Sequence, residues 1–256
     1  MLETARFRYA QARMLARHGD RADDRVWRRL GSTGNLANYL QAAGQTTLHT
    51  WTDGLHEGNN SHEIELTLRR HYRSYVEEIA RWLPARWAVV VRPLAQLSDL
   101  AALQHLLAGE TAPAWMLDDP ELRAFASENL TTRAGALDAS HHAYLAAAWQ
   151  RGIALPDAWH NHWRSRWPKA PRLTTGLKHL GDLLIEHTRA IRSDPGAQTD
   201  RLRERLLNRL TAAFRRYSFQ PAAACAHIGI VALDLERLRA DLIERAVFAE
   251  YIETAS

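Results

Sequence analysis

Asn60-Ser61-His62-Glu63-Ile64-Glu65-Leu66-Thr67-Leu68-Arg69-Arg70-His71-Tyr72-Arg73-Ser74-Tyr75-Val76-Glu77-Glu78-Ile79-Ala80-Arg81-Trp82 is the stretch that decides the fold. Ile64, Leu68, Tyr72, Tyr75, Ile79 and Trp82 recur at steps of four and three, the spacing of one apolar helix face. Asn60 or Ser61 supplies a cap, because a short polar side chain there can accept hydrogen bonds from the free N–H groups of the first turn. The pattern stops near Pro84. Beyond it, Trp87-Ala88-Val89-Val90-Val91 is the only strand-like run. A lone short strand has nothing to pair with, so the run is read as buried helix.

The same periodicity extends outward. A first helix is expected from about Leu2 to Arg17, with Phe7, Ala10 and Met14 inward and Arg6, Arg13 and Arg17 on another face. Short helices follow over Asp24–Leu30 and Asn35–Ala43, parted by a Gly31-Ser32-Thr33-Gly34 loop. Asp99 opens a compact helix through Leu107. Prolines at 113, 120, 156, 168 and 171 divide the middle into short helices. A long helix over about Asp200–Tyr217 carries Leu202, Leu206, Leu210, Ala213 and Tyr217, and Pro221 is read as its break. A helix containing Asp234-Leu235-Glu236-Arg237-Leu238 comes next. Leucines lie at the same offsets from Asp99 and Asp234, which reads as a degenerate internal repeat. The expected fold is all-α, a multi-helix arrangement of two to three related lobes. The lobes are placed at 1–110, 111–172 and 173–256, with boundaries near 109–120 and 168–174, the alternative being one continuous domain.

Bulk properties narrow the functional classes. At 256 residues, the chain can bury about three-quarters of its unfolded surface. The formal charge is +4 although the pI is about 9.5, so basic character is local and no nucleic-acid partner is expected. Cys225 is the only cysteine, which excludes an internal disulfide and points to a cytoplasmic setting. The amino terminus enters a charged helical pattern without an apolar signal segment, so no export is expected. Gln220–Leu233, the longest uncharged stretch, is shorter than the ~20 residues a membrane span needs. Direct membrane insertion is therefore not expected.

Catalytic patterns are sparse. The two His-Glu pairs at His56 and His62 stand six apart across Gly58 and Asn59, whereas a zinc-binding His-Glu-x-x-His places its histidines four apart on one face. His141-His142 and His160-Asn161-His162 point apart on a helix and are read as surface or interface histidines. No Gly-x-Ser-x-Gly, phosphate-loop or dinucleotide pattern occurs, so no catalytic residue, metal or cofactor is assigned. Asp118-Asp119 and Glu77-Glu78 are read as solvated acids. Two groups remain as candidate partner-binding residues: the Arg6, Arg13 and Arg17 stripe, and Trp159, Trp163 and Trp167, four apart on one helix face. The tryptophans fit core packing, or else an exposed aromatic-arginine patch of the kind that anchors interfaces.

Four segments in order resemble the C/d family of V-type ATPase rotor adaptors. They are Arg6-Phe7-Arg8-Tyr9-Ala10-Gln11-Ala12-Arg13, Ser61 through Arg70, Asp99-Leu100 through Leu107, and Pro221 through Leu233-Asp234-Leu235-Glu236-Arg237-Leu238-Arg239 to Phe248. The resemblance covers both ends well and the middle loosely. It implies a funnel-like, three-lobed helical fold and a non-catalytic rotor adaptor, binding the central stalk and the membrane rotor ring. It implies attachment to the membrane face only through that complex. The chain is shorter than usual members, and the Asn of the family's Asn-Leu-Arg element is Arg237 or Ala102 here. A diverged stand-alone helical scaffold is the alternative, and an enzyme using the histidine-rich middle is a third reading.

Overall fold

The computed structural model describes residues 2–127, 129–193 and 199–254. It is 78% helical, with 14 α-helices and no strand among the described residues. The helices are α1 (Leu2–Gly19), α2 (Asp24–Gly31), α3 (Leu36–Gly44), α4 (His49–Thr52), α5 (Ser61–Trp82), α6 (Ala85–Val91), α7 (Leu100–Leu107), α8 (Ala114–Asp118), α9 (Leu130–Asp138), α10 (Ala143–Gln150), α11 (Leu155–Ser165), α12 (Pro171–Ser193), α13 (Thr199–Arg216) and α14 (Pro221–Thr254). Short 3₁₀ turns at Arg92–Ser98 and Arg123–Phe125 complete the chain path.

The sequence signals at α5 translate directly into atoms. Asn60 Oδ1 accepts the His62 and Glu63 N–H groups at 3.0 Å each, and Glu63 Oε2 accepts the Asn60 N–H at 3.0 Å, a reciprocal capping box. Ile64, Leu68, Tyr72, Val76 and Ile79 are buried. Pro84 then starts a new direction. The Trp87–Val91 run is helical, and Trp87, Val90 and Val91 are in the core.

α14 is the axis of the molecule. Residues 221–228 are buried all round, as are Ile230, Val231 and Leu233. A helix apolar on every side belongs in the interior of a protein. The uncharged stretch is thus the buried part of α14, a helix that packs as a whole against α1, α3, α5, α6, α12 and α13. Its alanines let neighbours come close, and no helix among those described is long and apolar enough to cross a membrane.

Pro221 follows the break between α13 and α14 and occupies the first turn of α14, where its missing N–H costs nothing and its fixed φ favours the helix. Asp234 lies in the body of that helix, held by Arg21, just beyond α1, at 2.6 and 2.8 Å, whereas Asp99 precedes α7. The two Asp-Leu segments therefore occupy different structural positions.

Gly176 of α12 marks a close approach. A Cβ there would lie 2.7 Å from Ala222 Cβ and 2.9 Å from Tyr217 Cδ1. Overpacking costs about 1–3 kcal/mol, against about 1 kcal/mol gained in helix propensity. Gly176→Ala is expected to lower stability, by up to about 2 kcal/mol, in urea unfolding followed by circular dichroism.

Candidate functional site

The most distinctive feature is a buried ion network centred on α5. Glu65, Arg69 and Arg73 stand four apart, beside the apolar Ile64–Leu68–Tyr72 stripe, so folding carries all three charges inward. Arg69 Nε donates to Glu65 Oε1 at 2.6 Å, and Arg69 Nη1 donates to Asp99 Oδ1 at 2.8 Å and to the Ser98 carbonyl at 2.9 Å. Arg73 Nη2 donates to Asp99 at 3.0 Å, and its Nη1 donates to both oxygens of Asp119 at 2.8 Å. From α14, Arg239 Nε donates to Glu65 Oε2. The network ties α5 to the start of α7, the end of α8 and the middle of α14.

Asp119 is fully buried, and the Glu121 N–H at 2.9 Å adds to its two bonds from Arg73. Its solvated reading is therefore corrected: Arg73, 46 residues away, is the partner that lets it go inside. Asp118 remains exposed. Burial pushes the Asp99 carboxyl above the usual range, and Arg73 and Arg69 pull it back. Burial opposes the charge on Arg73, but Asp99 and Asp119 outweigh it and hold its pKa above the ordinary value.

Two clefts flank α5 and α14. One, of about 560 Å³, carries several charged and polar side chains, with Arg17, Arg21, His49, His71, Tyr75 and Glu78 among those that line it. Beneath it, Tyr75 Oη lies 2.7 Å from His227 Nε2, and the His18 ring centroid is 6.0 Å from that of His227. The other, of about 490 Å³, is mostly apolar and has Glu65, Arg69 and Arg239 along one edge.

The arginine stripe is divided by its surroundings. Arg6 reaches the Leu83 carbonyl at 3.5 Å, at the end of α5. Arg17 Nη2 donates to both Glu78 oxygens at 2.8 and 2.9 Å, Arg13 comes within 3.8 Å of Glu78, and both guanidiniums lie over the Trp82 ring. Glu78 is thus engaged by two arginines, and Arg17 alone of the stripe faces the cleft of about 560 Å³.

The tryptophans are not an exposed patch. Trp159 and Trp163 are buried, with ring centroids 5.5 Å apart in a stacked pair. Trp163 Nε1 donates to the Val90 carbonyl at 2.7 Å and Trp159 Nε1 to the Pro93 carbonyl at 3.3 Å, which fastens α11 onto the α6 turn. Trp167 is partly buried, edge-on to Trp163 at 4.9 Å. Partner binding through Trp159 and Trp163 is corrected to core packing, because their indole N–H groups are spent inside the chain. His142 and His160 are likewise buried rather than surface histidines. Among the described residues, no group of three His, Cys, Asp or Glu side chains is placed to hold a metal ion.

Sequence reasoning passed over Glu65, Arg69, Arg73, Asp99, Asp119 and Arg239 as a group. One signal was available: three charges at four-residue spacing hugging an apolar stripe. Their partners lie 26 to 174 residues away, outside any local pattern. The chain matches no protein-family model, and no curated protein or solved structure is significantly similar to it.

Proposed function

We propose that this chain is a non-catalytic helical adaptor, and specifically a rotor adaptor of a V/A-type ATPase that joins the central stalk to the membrane rotor ring. The observation that carries this reading is the meeting of three resembling segments in one network. Glu65 and Arg69 come from Ser61–Arg70, Asp99 from Asp99–Leu107 and Arg239 from the closing segment, and ion pairs link them in one chain. Residues far apart in the sequence thus form one mechanical unit, not a scatter of weak motifs.

An adaptor that passes torque needs stiffness across its long helices. Charge-assisted arginine–carboxylate bonds in a low-dielectric interior are directional and resist sliding. The carboxylates at α5 are engaged in holding helices together, which suits a protein that works through shape.

Co-production with the rotor-ring and central-stalk components of a V/A-type ATPase tests the proposal. The expected result is a complex of all three that survives size-exclusion chromatography. A chain that elutes alone in every combination contradicts the motor role and favours the stand-alone scaffold.

A further inference from the structure

We infer that the cleft of about 490 Å³ between α5, α7, α13 and α14 is a binding site for a small amphiphilic carboxylate, with an aliphatic body in the apolar walls and its carboxylate on Arg69 and Arg239. The inference goes beyond the adaptor reading and does not depend on it.

The volume lies within the range of ordinary small-molecule sites, which are apolar with a few placed polar groups. Leu68, Leu97, Leu206, Leu210, Leu233 and Leu235 form the walls. The polar edge is built rather than incidental. The Arg69 side chain is only 10% exposed, and its guanidinium lies over the Trp115 ring at 4.1 Å. Its Nε and Nη1 are spent on Glu65, Ser98 and Asp99, while Nη2 has no partner among the described residues. Arg239, across Glu65, uses Nε alone, and both its terminal nitrogens are unpartnered among the described residues.

The charge arrangement selects the ligand's head. Both Glu65 oxygens already accept from arginine, and Glu236, one turn before Arg239 on α14, faces Arg203 at 3.6 Å. With Glu65 spent, Arg69 and Arg239 present N–H donors at this edge that are unpartnered among the described residues, and these are the groups a ligand carboxylate would take. Such charge-assisted bonds are about twice as strong as neutral ones. An alcohol offers a weaker acceptor there, and an ammonium meets two guanidiniums.

Titration calorimetry with decanoate, decanol and decylamine, all below their aggregation limits, tests the site on the intact chain. Saturable one-to-one binding of decanoate is expected, with decanol and decylamine at least about tenfold weaker. Ala102→Trp, which fills the cleft, should abolish binding. Arg239→Met should weaken decanoate about tenfold and leave decanol unchanged; this half-exposed position keeps the test decisive if Ala102→Trp fails to fold. Decanol binding as tightly as decanoate, an unchanged affinity in Arg239→Met, or no saturable decanoate binding would overturn the inference. So would tighter binding of an acetylated tri-leucine peptide with a free carboxylate, which would assign the cleft to a protein chain end.

Discussion

Arg73→Met is expected to destabilise the protein by about 3–5 kcal/mol, the cost of removing one partner from a buried ion pair. The side chain is 19% exposed and serves two carboxylates, Asp99 and Asp119, whose side chains are 4% and 0% exposed. Asp99 would still have Arg69. Asp119 would retain only the Glu121 N–H, and a carboxylate without a countercharge in the interior must protonate or draw in water. Arg73→Met combined with Asp119→Leu should recover most of the loss, since apolar replacement of both partners is often near neutral. Urea midpoints of the two variants check this. A single variant within about 1 kcal/mol of the parent would mean that the network is solvated and does not hold the helices.

Acid should unfold the protein through its buried histidines. His227 is fully buried between α1, α5 and α13, with Tyr75 on Nε2 and nothing on Nδ1. Burial lowers its pKa to about 3, reinforced by His18, Arg21 and Arg17. Burial also lowers His142 to about 4, with His141, Arg73 and His162 adding to it. Because both folded values lie below the unfolded value of 6.5, the unfolded state binds more protons between them. Their contribution is fully present above about pH 6.5 and is lost as pH falls toward the folded values. Each histidine costs about 1.4 kcal/mol per pH unit across that window, so moving from about pH 6.5 to 4.5 removes about 5 kcal/mol from the pair. That equals the whole stability of many domains. Urea unfolding between about pH 4.5 and 7 should steepen accordingly, and His227→Gln should remove about 1.4 kcal/mol per unit of the slope. An unaltered slope in that variant would place the acid sensitivity elsewhere.

The elements most legible in the sequence are those whose causes are local. The Asn60 cap, the apolar stripe of α5 and the Pro84 stop are neighbours in the chain, and the buried helix over Trp87–Val91 follows from its flanks. What the sequence concealed depends on distant partners. Asp234 looks like the repeat counterpart of Asp99 until Arg21, 213 residues away, is seen to hold it in the body of α14. Asp119 looks solvated until Arg73 reaches it. Trp159 and Trp163 allowed two readings at equal spacing, and the Val90 and Pro93 carbonyls chose the core. The candidate site was hidden for the same reason: its charges are ordinary one by one and informative only as a set.

The adaptor reading is tested most directly by affinity purification of the tagged chain from gently solubilised native membranes, with identification of the proteins that accompany it. Rotor-ring and central-stalk components are expected in stoichiometric amounts. Recovery of unrelated proteins alone, with neither motor component, would contradict it.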